Sequence, residues 1–181
     1  MTTTNESNAR DLRTGESTLA QQAATGRHTS DGRPHGYSSI TPFVAVQGAG
    51  EAIAFYEEVF GARRVGVTEM EGVIVHAELD FGHGRLQLGE PNPAFHLIGP
   101  PDGDDVSYSL AVYVPDVDAT VAAAERAGAS VREPVTTFVS GDRFGSIKDP
   151  YGIRWTVMTR VEDLSDEESA ARVDEWAAQQ V

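Results

Sequence analysis

Hydrophobic and polar positions change period several times along this chain, and each change predicts an element. Thr41-Pro-Phe-Val-Ala-Val46 is a short apolar run that reads as a strand, with Pro42 near its start, where a missing donor is tolerated. Residues 49–60 (AGEAIAFYEEVF) place Ile53, Tyr56 and Phe60 at i, i+3 and i+7, with Ala52, Phe55 and Val59 alongside. That spacing predicts an amphipathic helix, closed by Gly61 as its C-terminal cap. The period then falls to two over Arg63–Met70 and Gly72–Phe81. Val73, Val75, Ala77, Leu79 and Phe81 take one face of the second strand, leaving His76, Glu78 and Asp80 on the other. Gly82-His83-Gly84 predicts a hairpin turn, followed by a strand over Arg85–Gly89.

A Pro/Gly/Asp-rich linker over 91–105 interrupts the pattern, which then starts again. Val106–Val114 reads as a strand, and Asp116 caps a helix running to Ala127 and ended by Gly128. Further strands are expected near Ser130–Arg132, Gly145–Lys148 and Ile153–Thr159, with the turn Asp149-Pro-Tyr-Gly152 between the last two. An offset of 67 positions pairs Ala52 with Ala119, Glu58 with Glu125 and Gly61 with Gly128, and lays Phe43-Val-Ala-Val over Leu110-Ala-Val-Tyr. Further on, an offset of 69 pairs Asp80 with Asp149 and Arg85 with Arg154. Helix stops and hairpins recurring in one order predict a βαβββ unit used twice.

Outside this body, residues 1–36 hold almost no large apolar side chain and are expected to form a disordered tail, with a short helix near Glu16–Ala24 only if something docks it. Residues 161–181 predict an acidic C-terminal helix, opened by a capping box of Ser165 and Glu168. The domain is therefore expected over 37–160, with module one about 40–90 and module two about 106–160.

Composition narrows the function. Hydrophobic residues at 40% and charged residues at 23% are globular values. No apolar run reaches the roughly 18–20 residues of a membrane span, and no leader-like segment opens the chain. With no cysteine there is no disulfide, thiolate metal site or cysteine nucleophile, and the expected localisation is cytoplasmic. A formal charge of −14 argues against nucleic acid and anionic membranes as partners. It serves solubility, or it attracts a cationic small molecule.

The run Phe43-Val-Ala-Val-Gln-Gly-Ala-Gly-Glu-Ala-Ile-Ala-Phe-Tyr-Glu-Glu-Val-Phe-Gly-Ala62 resembles the opening of a vicinal oxygen chelate (VOC) module. Val112-Tyr-Val-Pro-Asp-Val-Asp-Ala-Thr-Val121 with Ala127-Gly-Ala129 resembles a second. Gly141-Asp-Arg-Phe-Gly-Ser-Ile-Lys-Asp-Pro-Tyr-Gly-Ile-Arg-Trp155 is similar to the PhnB-like branch of that superfamily, which includes glyoxalase-like, dioxygenase and bleomycin-resistance proteins. The resemblance implies an α+β, glyoxalase-like fold: two tandem βαβββ modules forming a curved mixed sheet around a concave cup, commonly completed by a homodimer.

Metal-dependent members hold their ion on four strand positions, and the resemblance carries these onto Thr41, Gln87, Ser109 and Thr156. None is a His, Asp or Glu, so no cofactor is expected, and a divalent metal is the minor alternative. Strand alternation places Phe43, His76, Arg85, Gln87, Ala111, Tyr113, Arg154, Thr156 and Met158 in the cup, a set suited to a small amphipathic ligand. His76 and Glu78 are either an acid/base or binding pair, or solvated strand residues. Arg143 either clamps an anionic group or pairs with a neighbouring acid such as Asp142. Trp155 is expected in the core, with stacking on a ligand as the alternative. The leading expectation is a metal-independent small-molecule-binding protein, a resistance or sequestration factor for a cationic metabolite. The enzyme alternative is a glyoxalase-like lyase or isomerase, or another enzyme of that superfamily, acting with or without a divalent metal and with His76, Glu78 and Arg143 as catalytic candidates; a purely structural or regulatory dimer is the third reading.

Overall fold

The computed structural model describes residues 22–180, and the chain divides into two compact units at His35/Gly36. Within the first unit, β1 (Thr29–Ser30) and β2 (Arg33–Pro34) pair antiparallel across Asp31-Gly32. Both turn residues have positive φ, 49° and 79°, the type I′ geometry that an Asp-Gly pair favours. Thr25 Oγ1 accepts from the Asp31 amide at 3.0 Å and donates to its carboxylate at 3.2 Å. The tail expected over 1–36 is therefore structured over part of its described residues. Most of the Glu16–Ala24 helix expectation lies outside the described residues.

The second unit contains the repeat. β3 (Phe43–Ala45), α1 (Ala49–Phe60), β4 (Arg63–Met70), β5 (Val73–Asp80) and β6 (Arg85–Gly89) build a sheet of order β3-β6-β5-β4. β7 (Leu110–Tyr113), α2 (Val117–Arg126), β8 (Ser130–Thr137), β9 (Asp142–Lys148) and β10 (Arg154–Arg160) build a second, of order β7-β10-β9-β8. In each, the first strand runs parallel to the last and the remaining neighbours are antiparallel. The fold is α+β with two tandem βαβββ modules. Each module contributes one four-stranded mixed sheet, in which β3 and β7 are edge strands that pair, among the described residues, with β6 and β10.

The ladders refine the internal alignment. Phe43 stands opposite Gln87 and Ala111 opposite Thr156, so Phe43 corresponds to Ala111 and not to Leu110. Asp80 faces Arg85, whereas Lys148 faces Arg154, because the second β-hairpin carries one extra turn residue. Asp80 and Asp149 nevertheless do the same local work: each carboxylate accepts the amide of the residue two positions on, Gly82 at 2.8 Å and Tyr151 at 3.0 Å. Single-residue differences at the joints thus leave the helix offset at 67 while the strands drift to 68 and 69.

Alternation puts Val44, Ala77, Leu79, Leu86 and Leu88 into the core of module one, and Val112, Ile147, Trp155 and Val157 into that of module two. α1 joins the two. Tyr56, fully buried, stacks beside Phe60 and packs edge-on against Trp155, their ring centroids 6.2 and 5.3 Å apart. Phe60 and Phe81 also lie against Trp155, at 4.8 and 6.0 Å. Such aromatic pairs contribute about 0.5–1.5 kcal/mol each beyond the area they bury. Trp155 is thus a core residue, as its apolar strand position predicts.

Three expected strands are displaced at their ends. The run from Val106 forms a strand only over Leu110–Tyr113, while β8 extends to Thr137 and β9 begins at Asp142. Between the modules Pro93–Phe95 makes a short 3-10 turn capped by the Asn92 side chain. α3 (Asp166–Ala178) opens with the full capping box of Ser165 and Glu168, and its Trp176 packs edge-on against Phe138 at 5.0 Å. No helix among the described residues is long and apolar enough to cross a membrane.

Candidate functional site

Because side chains alternate along a strand, the residues between the core positions emerge on the sheet face turned away from the packed core. On module one these are Phe43, His76, Glu78, Arg85 and Gln87, all half-buried. Phe43 and His76 lie side by side with ring centroids 6.1 Å apart. Glu78 is the hub. Gln87 Nε2 donates to its Oε1 at 3.0 Å, and Arg85 Nη1 to its Oε2 at 3.1 Å. Tyr37, in the leader before β3, places its hydroxyl 2.5 Å from both carboxylate oxygens. Its ring lies under the Arg85 guanidinium, 4.1 Å from centroid to Cζ, a cation–π contact.

These contacts set the electrostatics. The Tyr37 hydrogen bond, foremost, holds the Glu78 carboxyl below its ordinary range, and Gln87 and Arg85 act in the same direction against desolvation. The same bond pushes the Tyr37 phenol upward. Glu78 is therefore an anion at neutral pH with its lone pairs engaged, a poor general base as it stands. Arg85 Nε is buried and has no hydrogen-bond partner.

Module two presents Ala111, Tyr113, Arg154, Thr156 and Met158 on the corresponding face. Arg154 Nε donates to the buried Ser146 hydroxyl at 2.6 Å, and Nη2 lies 3.6 Å from Glu133. The ladders make Ser146 the counterpart of Glu78, so the charged hub exists in module one only. Tyr113 is 58% exposed, its hydroxyl 3.5 Å from Asp142, at the outer limit of a hydrogen bond. Arg143 stands on the other face, where its guanidinium forks onto Asp118 of α2 at 2.6 and 2.7 Å. Its partner is Asp118 rather than Asp142, and it lies apart from the other candidates.

The four positions matched to metal ligands carry three hydroxyls and one amide. Ser109 Oγ and Thr156 Oγ1 are 2.9 Å apart and share a hydrogen bond with each other, while the Gln87 amide is engaged by Glu78. Among the described residues no three His, Cys, Asp or Glu side chains group to hold an ion. Neutral oxygens of this kind do not suit Zn, Ni or Fe, which are held by imidazole, thiolate or carboxylate, so these residues do not fit the metal that the resemblance implies.

A pocket of about 410 Å³ opens at the seam between the modules, walled by the leader (Ser38, Ile40, Pro42), the start of β6, and β7. Of the sequence-predicted cup residues, Arg85, Ala111 and Tyr113 line it, with Ser109 and the edge of Trp155 beside them. Phe43, His76, Gln87, Arg154, Thr156 and Met158 do not. The sequence reading missed Tyr37 and the seam itself. The only signal for Tyr37 was an isolated aromatic after a Pro-His-Gly break, in a stretch otherwise without large apolar side chains.

A model of the Glyoxalase/Bleomycin resistance protein/Dioxygenase superfamily matches residues 36–157. An uncharacterized protein of Mycobacterium bovis, Mb0911c, is 28% identical over 137 residues, which cover 74% of this chain and 90% of that protein. Among solved structures, TioX from Micromonospora superposes with a TM-score of 0.54 at 23% identity, covering 71% of this chain and all (100%) of TioX. A PhnB protein from Bacillus cereus gives 0.53 at 19% identity, over 67% of this chain and 99% of its own.

Proposed function

Since the chain belongs to the Glyoxalase/Bleomycin resistance protein/Dioxygenase superfamily, we propose that it is a VOC small-molecule-binding protein of the resistance or sequestration type, working without a metal. The observation that supports this reading is the bond between Ser109 and Thr156: two of the positions that the resemblance gives to metal ligands carry neutral hydroxyls that bond to each other. The ligand site is the seam pocket together with the polar sheet faces, with Arg85 and Tyr113 at its edge. Its mix of aromatic, amide and guanidinium groups fits a small amphipathic molecule.

The net charge of −14 favours a cationic ligand through long-range attraction, while the acids nearest the site, Glu78, Glu133 and Asp142, are each paired with an arginine. A cationic preference therefore rests on the field of the whole molecule and not on a free carboxylate in the site. A homodimer is the natural assembly. β4 is an exposed edge strand whose Val65, Val67 and Met70 meet water, and such edges are ordinarily covered. No membrane or nucleic-acid partner is proposed, and the cytoplasm is the compartment this reading assumes.

The enzyme alternative, a glyoxalase-like lyase or isomerase, would have to use His76 or Glu78 once Tyr37 has moved away. The deciding experiment is a thermal-shift screen of cationic and neutral amphipathic compounds, repeated on Arg85→Ala and Tyr113→Ala. Hits that lose their shift in both variants support binding at the seam. Hits indifferent to both would place the ligand elsewhere and sink the reading.

A further inference from the structure

We infer that Tyr37 is a built-in occupant of module one's polar face, and that the Glu78–Arg85 pair it covers is a receptor for a phenol-bearing ligand. This rests on the small-molecule-binding reading above and names the chemistry of one part of that ligand.

The contacts that the Tyr37 ring and hydroxyl make with Glu78 and Arg85 are those by which any phenol would be recognised. Its hydroxyl meets the Glu78 carboxylate at 2.5 Å, a short charge-assisted hydrogen bond. Its ring face meets the Arg85 guanidinium at 4.1 Å. Gln87 fixes the carboxylate from the other side at 3.0 Å. None of these contacts uses the Tyr37 backbone, so a free hydroxyaryl group can make all of them.

A second observation shows that the pair is not complete with Tyr37 in place. Arg85 Nε is shielded from solvent and donates to nothing. Buried donors are ordinarily satisfied, so the unmade bond leaves this guanidinium short of an acceptor that Tyr37 does not carry. A ligand bearing an acceptor beside its hydroxyl gains a bond that the native occupant lacks.

Residues 36–42 belong to no strand or helix, and Ile40 is 81% exposed. Gly36 sits at φ 85°, where a β-carbon would lie 3.1 Å from Arg85 Nη2, so glycine lets the chain pass close over the guanidinium. In module two Ser146 replaces Glu78, and Arg154 rests on it without a phenol. The receptor is therefore particular to module one.

An internal occupant competes with a free one at a high effective concentration, so removing it should expose the receptor. The test titrates p-cresol and toluene into wild type, Tyr37→Ala and Tyr37→Phe, following the Gln87 side-chain amide and the Arg85 Nε–H by NMR. The expected result is p-cresol binding at least tenfold tighter to Tyr37→Ala than to wild type, no such gain for toluene, and loss of the gain when Glu78→Gln is added. Tyr37→Phe, which keeps the ring and drops the hydroxyl, should show a smaller gain and decides the matter if the alanine variant does not fold. Equal p-cresol affinity in wild type and the Tyr37 variants overturns the inference, and so does an equal gain for toluene. If compounds from the seam screen still bind through Tyr113 while p-cresol gains nothing, this inference fails and the binding reading stands.

Discussion

Tyr56 on α1 donates its hydroxyl to Asp149 in the β9–β10 turn at 2.8 Å, tying the helix of one module to the hairpin of the other. Asp149 is 4% exposed and also accepts from Trp155 Nε1 at 2.9 Å and from the amides of Tyr151 and Ile153. Four donors converge on one carboxylate, and an amide cannot replace it without turning a donor toward Trp155 or the backbone. Asp149→Asn should therefore destabilise the fold by about 1–3 kcal/mol, and Tyr56→Phe by a similar or smaller amount. Urea unfolding monitored by Trp155 fluorescence measures both. An asparagine variant as stable as wild type would show that the network is not holding the modules together.

Two carboxylates give opposite pH signatures. Burial, foremost, raises the Asp149 carboxyl, so its contribution to stability is complete below the unfolded Asp value of about 3.9 and is lost as pH rises through the folded value. Glu78 is lowered, chiefly by Tyr37, so its contribution is present above the unfolded Glu value of about 4.3 and is lost as pH falls through the folded value. The stability gap between wild type and Tyr37→Phe should accordingly be wider at pH 7 than at pH 3. Denaturant titrations at the two values check it, and a gap that does not narrow in acid contradicts the assignment.

The capping box that opens α3 closes through Ser165 Oγ and the Glu168 carboxylate, at 3.2 and 2.9 Å. Ser165→Ala should weaken this helix by about 1 kcal/mol. Because α3 buries no residue fully, the effect should stay local. Hydrogen exchange should speed up over 166–170 with little change in the global unfolding midpoint.

The homodimer proposal rests on β4. Val67, 40% exposed on the edge strand, should tolerate Val67→Asp without loss of fold while the species in solution shifts from dimer to monomer. Light scattering coupled to size-exclusion chromatography reads the mass directly, and a wild-type monomer would remove the proposal.

Much of this architecture was legible because period and punctuation agree. The 12-residue α1 ends at Gly61, Asp116 caps α2 through the Ala119 amide, and Ala77, Leu79 and Phe81 of the β5 stripe face the core, whereas Val73 is exposed and Ile74 packs inward in its place, beyond a shift in the β4–β5 register. What stayed hidden has physical reasons. Asp31-Gly32 carries a hairpin signal, but its flanking strands are two residues each and polar, so no alternation advertised them. The seam pocket depends on how two modules dock, which no local pattern encodes. Tyr37 reaches Glu78 across 41 positions, and Arg143 reaches Asp118 across 25, through side-chain choices that spacing does not fix.

Whether this VOC chain binds its ligand without a metal is decided by metal analysis of protein purified without chelators, followed by thermal shifts with Zn, Ni, Mn and Fe(II). A ligand specific to the native state raises the Tm by mass action. Substoichiometric metal and no rise in Tm with any of the four ions are expected. One tightly held metal per chain, with a clear rise on adding it back, would contradict the reading of Thr41, Gln87, Ser109 and Thr156 and place the protein among the metal-dependent enzymes of its superfamily.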